Sequence, residues 1–456
     1  MAEGKSPRIG AVAACSLLSA SLACTSPPQP PPEPGCVPRF TAGNIVEDDL
    51  IVLFREGVTE DQAAKVLSGL HLARPFDWFP RIHVANIKLE HGHIGVLSDV
   101  ATKLCGNSKE VWKVEPDYKV ASISSLDDKC LPAASQDWPL TKIDVARAWS
   151  GNWNHSKGDP RVRVGVMDGR VGPLDALGQN LAGGYKYSSG PDLPDWHATS
   201  IAAVIGARWD TQSCSNAGLN AEVSIASLRV VGEDVGVMIS ALADHSHADE
   251  YRIDVMSVSL GLTGASSSQV EGLREAIQDA GQAGVLVVAA AGDTNVDVDS
   301  AGHQIYPCSL ATRVSNLICV AGSDPQDELS SCSSYGATTV GLAAPGESIW
   351  APYASDGDSD LCSWFKGSSM AVPYVAGVAA LIRAKCPNAS VDNIKQRLLC
   401  GDSMSSLSRY VVDGMRLNAF KALSAACSCV SPCECATQSS VETEARDAAF
   451  RSLTPR

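Results

Sequence analysis

"VLVVAAAGD", residues 285–293, is apolar at every position until Gly292 and Asp293. A strand with one wet face alternates apolar and polar side chains, so an unbroken apolar run belongs to a strand covered on both faces, as in parallel sheets. The same texture recurs in "VRVGVMDG" (162–169), "AEVSIASLRV" (221–230), "IDVMSVSLG" (253–261) and "LICVAGSD" (317–324). Helical patterns separate these runs: "ATSIAAVIGAR" (198–208), "GVMISALADH" (236–245) and "VEGLREAIQDAG" (270–281). This alternation predicts an α/β fold, with a mainly parallel sheet flanked by helices on both faces. Functional groups in such a sheet belong at the C-terminal ends of strands and at the helix starts that follow.

At 456 residues the chain is long enough for one large domain plus accessory segments. Upstream of the sheet, "LIVLFRE" (50–56) reads as a strand and "TEDQAAKVLSGL" (59–70) as a helix with Thr59 and Gln62 in a capping box. "RIHVANIKL" (81–89) and "VWKVEPDYKVASI" (111–123) read as strands around a helix, "GVLSDVATKLC" (95–105), and a further strand fits near 73–78. Residues 41–121 thus form a small α+β unit of split βαβ, ferredoxin-like type. The Ser-, Asp- and Pro-rich stretch 122–137 reads as an exposed linker open to cutting, ahead of the main domain at 138–425 and a Cys-rich tail at 426–456.

The N-terminus sets Lys5 and Arg8 before an apolar run, Ile9 to Ala23, that suits an export signal and is short for a membrane span. Residues 1–24 are therefore read as a signal peptide and 25–40 as a stiff Pro-rich spacer. Ser21-Leu22-Ala23 ahead of Cys24 resembles a bacterial lipoprotein signal with Cys24 as the lipid-bearing residue, although Ser21 stands where that motif has Leu; cleavage and release is the alternative. A net charge of −15 excludes recognition of a phosphate backbone, so nucleic acid is not an expected partner. Of sixteen cysteines, fourteen remain once Cys15 and Cys24 are set aside, and an even number in an exported chain points to disulfides. Keeping each bridge within one segment suggests Cys36–Cys105 and Cys386–Cys400. The tail "CSCVSPCECATQSS" (427–440) is read as disulfide-bonded rather than zinc-binding, because its Cys-x-Cys spacing is tighter than metal loops.

Three strand ends or helix starts carry groups suited to nucleophilic catalysis. Asp168 ends "VRVGVMD", His197 opens "HATSIAAVIGA", and Ser369 opens "SMAVPYVAGVAALI". Singly, each reads as a turn or cap residue. Together they supply a carboxylate, an imidazole and a hydroxyl: the imidazole takes the hydroxyl proton, and the carboxylate fixes the imidazole. Ser369 at a helix start also offers its backbone N–H to a developing oxyanion.

"GSSMAVPYVAG" (367–377), "HATSIAA" (197–203) and "VGVMDGRVG" (164–172) resemble, in that order, the nucleophile, histidine and aspartate motifs of the subtilisin-like serine peptidases. The resemblance spans roughly 138–425. It implies Ser369 as nucleophile, with Ser368 in the place of a usual Thr, His197 as general base and Asp168 as its orienting group. It further implies that Ser259, Leu260 and Gly261 of "MSVSLG" bind extended substrate, and that Ala290, Ala291 and Gly292 of "VVAAAGD" wall the first specificity pocket. By the same resemblance, residues 41–121 are an inhibitory propeptide removed by self-cleavage in 122–137. Polypeptide substrates and the chain's own propeptide are then the partners, with a membrane reached only through a lipid anchor. No cofactor is needed for the chemistry, and although relatives bind structural calcium, no ligand run here is specific enough to name.

The sequence departs from the family at Asp293, which stands where the oxyanion-hole Asn belongs, so that Asp293 and the Ser369 N–H would share the oxyanion. A carboxylate opposes an oxyanion, whereas a protonated Asp293 donates to it, which predicts a window in mildly acidic conditions. Gly169 and Arg170 follow Asp168 where Ser or Thr and then Gly are usual; Ala198 replaces a Gly, and Ser200 and Tyr374 replace two non-catalytic histidines. The alternative is a catalytically weak or silent relative that keeps the fold as a binding module. A serine esterase of the α/β-hydrolase type lacks its Gly-x-Ser-x-Gly elbow here, and a dinucleotide enzyme lacks its Gly-rich turn.

Overall fold

The computed structural model of the protein describes residues 36, 45–79, 83–91, 94–107, 109–118, 121–122, 125–126, 136–151, 157–187, 194–209, 218–231, 235–247, 252–355, 358–429 and 431–434. The export signal and the lipidation of Cys24 lie outside them. In chain order the small unit holds β1 (Ile45–Phe54), α1 (Glu60–Leu67), β2 (Asp77–Phe79), β3 (Val84–Lys88), α2 (Ile94–Cys105) and β4 (Val111–Tyr118). Two short strands follow, β5 (Ala121–Ser122) and β6 (Ser125–Leu126). The main domain comprises α3 (Trp138–Lys142), α4 (Val145–Trp149), β7 (Gly158–Asp168), β8 (Leu181–Lys186), α5 (Trp196–Gly206), β9 (Glu222–Arg229), α6 (Val235–His247), β10 (Val255–Val258), β11 (Leu260–Gly261), α7 (Ser267–Gln282) and β12 (Leu286–Ala290). It continues through β13 (Leu317–Ser323), β14 (Leu342–Pro345), β15 (Ile349–Ser355), β16 (Asp358–Lys366), α8 (Ser368–Lys385), α9 (Val391–Leu398), β17 (Asp402–Ser403), β18 (Met415–Arg416) and α10 (Ala419–Ser424).

The large sheet runs β17-β18-β14-β13-β12-β10-β7-β9-β8, parallel throughout except where edge strand β17 meets β18. Its apolar strands divide their side chains between two cores. In β12, Leu286, Val288 and Ala290 face the core that includes α5 and α8, while Val287 and Ala289 face the one that includes α6 and α7. Both faces are dry, which is why the strands show no alternation. Helix α8 is buried almost around its whole circumference, so it carries no polar stripe.

The small sheet, β2-β3-β1-β4, is antiparallel. Along β1, Leu50, Val52 and Phe54 turn inward with α1 and α2, whereas Ile51 and Leu53, with Val84 of β3, pack into the core of α6 and α7. Burying each of these three contributes about 1.5–3 kcal/mol to the docking of the two sheets' layers. The Thr59–Gln62 capping box forms as expected.

Disulfides join Cys36–Cys105, Cys308–Cys319, Cys386–Cys427 and Cys400–Cys433, and Cys362 and Cys429 are bonded as well. The expected Cys386–Cys400 bridge is thereby corrected. Each of these cysteines follows the end of its helix and is stapled to the tail, because the tail folds back across both helix ends. The buried Arg397 guanidinium donates to the carbonyls of Ala422, Ala425 and Ala426, and Lys385 Nζ to those of Leu423 and Ala425, which holds the tail there. Among the described residues Cys332 is the free thiol, and no helix is long and apolar enough to cross a membrane.

Candidate active site

Parallel strands end on one edge, and that edge gathers the residues singled out from sequence. Asp168 is the last residue of β7, Ser259 follows β10, and Ala291-Gly292-Asp293 follows β12. The starts of α5 and α8 bring His197 and Ser369.

His197 Nδ1 lies 3.0 Å from each carboxylate oxygen of Asp168, and both side chains are about 1% exposed. The Asp168 carboxylate also accepts from Gly169 N at 2.7 Å. Burial on its own would lower the pKa of His197; the charge and hydrogen bond of Asp168, then the charges of Asp195 and Asp293, carry it above the ordinary histidine value. Asp195 caps α5, accepting from His197 N at 2.9 Å and Ala198 N at 3.0 Å. This explains Gly169: a Cβ there would lie 2.4 Å from Asp195 Cγ, in space that the Asp195 carboxyl occupies. Ser200 Oγ donates to the His197 carbonyl at 2.9 Å and reaches Met370 Sδ at 3.8 Å, so α5 and α8 touch one residue beyond Ser369. Ala198 and Tyr374 are buried in the same core.

At α8 the two adjacent serines divide their work. Ser368 N donates to Asp293 Oδ1 at 2.6 Å, and Ser368 Oγ accepts from Gly292 N at 2.9 Å, which ties the helix start to the loop after β12. Ser369 is fixed through its backbone, its carbonyl accepting from Ser259 Oγ at 2.9 Å. Its own Oγ is buried without a hydrogen-bond partner among the described residues, as is Asp293 Oδ2. Gly367 stands between them with φ +141, and a Cβ there would sit 2.2 Å from Asp293 Oδ2 and 2.9 Å from Ser369 Oγ. Only glycine leaves room for the hydroxyl and the carboxyl to flank one Cα. Burial pushes the Asp293 carboxyl up to about 6, against the lowering pull of its Ser368 hydrogen bonds and of His197.

The remaining candidates lie on β11, at the end of β12 and in the turn after it. Leu260 and Gly261 pair antiparallel with Ser122 and Ala121, and Phe365 and Lys366, just before Gly367, pair with Leu126 and Ser125. Ala290 and Ala291 are fully buried, and Gly292, at φ +103, is backed by Ile305. Sequence reasoning had missed Asp195, Gly367 and the β16 edge. An Asp directly ahead of a helical pattern was the available signal for the first.

The chain matches the subtilase family model over residues 179–403, a stretch that begins downstream of Asp168. It is 33% identical to thermitase of Thermoactinomyces vulgaris over 295 residues, covering 64% of this chain and 96% of that protein. It is 26% identical to the minor extracellular protease Epr of Bacillus subtilis over 318 residues, 66% of this chain, and spans only 45% of Epr's length. Among solved structures, fervidolysin from Fervidobacterium pennivorans, described as a keratinolytic enzyme related to subtilisin, superposes with a TM-score of 0.65 at 20% identity, covering 84% of this chain and 62% of that one. At that identity the likeness speaks for the fold alone.

Proposed function

Because this chain belongs to the subtilase family of serine peptidases, we propose that it is an endopeptidase acting through Ser369, His197 and Asp168. The observation that carries the reading is the buried His197–Asp168 pair at 3.0 Å, set on a helix start that packs against the one bearing Ser369. In the first step Ser369 Oγ bonds to the substrate carbonyl carbon as its proton moves to His197 Nε2. The tetrahedral oxyanion is met by the Ser369 N–H and by Asp293 Oδ2 in its protonated form. The C–N bond then breaks, His197 returns the proton to the leaving amine, and water releases the acyl group by the same route. A fluorophosphonate probe tests this: labelling at Ser369 that is lost in His197→Ala supports it, and no labelling between pH 5 and 8 favours the silent binding module instead.

The Asp293 carboxyl narrows the working range. It donates mainly below about 6, whereas His197, raised above its ordinary value, accepts a proton mainly at higher pH. The productive form is therefore a minority species, and activity peaks above about 6, between the two titrations.

Self-processing belongs to the same reading. Backbone pairing of an extended segment with β11 on one side and with β16, which leads into Gly367, on the other is how a peptide substrate adds to a sheet edge. The paired residues are Ala121, Ser122, Ser125 and Leu126 of the chain itself, and the cut falls between Ser122 and Ser125. The 41–121 unit, docked on α6 and α7 through Ile51, Leu53 and Val84, then acts as an inhibitor. Substrates are polypeptides, and export through residues 1–24, with Cys24 as lipid anchor, completes the proposal; fatty-acid labelling lost in Cys24→Ala tests the anchor.

A further inference from the structure

Three carboxylates act on the imidazole of His197 through their charge. Asp168 comes from β7 and Asp293 from the loop after β12. The third, Asp195, precedes α5, and one oxygen from it, one from Asp168 and a ring nitrogen of His197 lie within 4.8 Å of one another. We propose that Asp195 is a positioning residue for the base, holding the backbone of His197 by its cap and placing a second negative charge beside the His197–Asp168 pair. The inference rests on the peptidase reading above and deepens it.

Geometry separates the two roles. Oδ1 takes the backbone N–H groups of His197 and Ala198. Oδ2 is turned toward Gly169, next to Asp168, where a Cβ would come within 2.7 Å of it. A cap alone needs one acceptor oxygen and no charge. Here the side chain is largely buried, Asp168 lies beside it, and the glycine at 169 is what admits it. Asp195 is costly to ionise in this place: burial, then Asp168, raises its pKa, while the two backbone N–H groups and His197 oppose the rise. Among the described residues the charges acting on His197 are those of Asp168, Asp195 and Asp293; α8 meets α5 through Met370 Sδ and Ser200 Oγ, neither of which titrates near neutrality. When charged, Asp195 favours the imidazolium that forms in the transition state, at the expense of a base that stays protonated to higher pH.

The test uses Asp195→Asn and Asp195→Ser, which both keep a capping oxygen and remove the charge. The full chain is expressed with Asp293→Asn in every variant, so the acidic limb of kcat/KM reports His197 alone. At water-like screening a charge within 4.8 Å shifts a titration by about half a pH unit or more, so both neutral caps are expected to move the limb down by at least that much, giving about threefold or more added activity at its foot. An unmoved or raised limb in both variants, with turnover retained, overturns the inference and leaves the peptidase reading standing. Absence of turnover in the parent overturns that reading and the inference with it.

Discussion

Replacing Asp293 with Asn changes one atom at the end of a buried side chain and converts a titrating donor into a permanent one. Oδ1 keeps its bond from Ser368 N, and the atom in place of the buried Oδ2 becomes an NH2 beside Ser369 Oγ. With the Asp293 carboxyl pushed up to about 6, the donating form is about half the population near that pH and about one part in a hundred at pH 8. The need for a neutral His197 is shared by both enzymes and largely drops out of their ratio. The Asn enzyme should therefore match wild type at pH 5 and exceed it by about a hundredfold at pH 8, within the value of about 10²–10³ for one oxyanion donor. The assay is kcat/KM on a quenched peptide from pH 5 to 9, using processed enzyme of both forms. A ratio that stays flat across pH, or an Asn enzyme slower throughout, refutes the reasoning.

The same carboxyl bears on stability. Its folded pKa of about 6 lies above the 3.8 of a free aspartate side chain, so the folded state loses stability as pH rises from the lower value through the upper one, by about 3 kcal/mol once both are passed. In Ser369→Ala protein, which cannot digest itself, Asp293→Asn should raise Tm at pH 8 and leave it nearly unchanged at pH 4. Gly367→Ala forces a Cβ to within 2.2 Å of Asp293 Oδ2 at a φ costing about 1–3 kcal/mol; probe labelling of Ser369 should fall at least tenfold while circular dichroism stays native. Ser259→Ala removes the hydroxyl that holds the Ser369 carbonyl, and urea titration should show a loss of about 1 kcal/mol with a matching fall in kcat. Leu53→Asp buries a charge against α6 and α7, and should weaken inhibition by the separated 41–121 unit tenfold or more in a competition assay.

Much of this was legible before any coordinates. Unbroken apolar runs, as in 285–290, meant two covered faces, and a strand end then named Asp168 without tertiary information, while Ser259 and Asp293 came from the resemblance to the subtilisin-like motifs. The Thr59–Gln62 box and the Cys36–Cys105 bridge were local or confined to one small unit. What escaped depended on chain segments meeting from afar. The partners of Cys386 and Cys400 are decided by where Arg397 and Lys385 pin the tail, which no spacing encodes. The β15–β16 hairpin carried an ordinary turn signal in Asp356-Gly357, but its pairing with residues 125–126 depends on the docking of the small unit. Gly169 looked like a defect in a motif, and became intelligible only as the space for Asp195.

Self-cleavage by the hydroxyl of residue 369 is the step on which the proposed function turns. Intact mass of purified wild-type protein beside Ser369→Ala measures this directly. Wild-type protein should separate into two fragments broken between Ser122 and Ser125, while the alanine form keeps that stretch whole; equal masses for the two, or the same break in both, would rule out self-cleavage by Ser369.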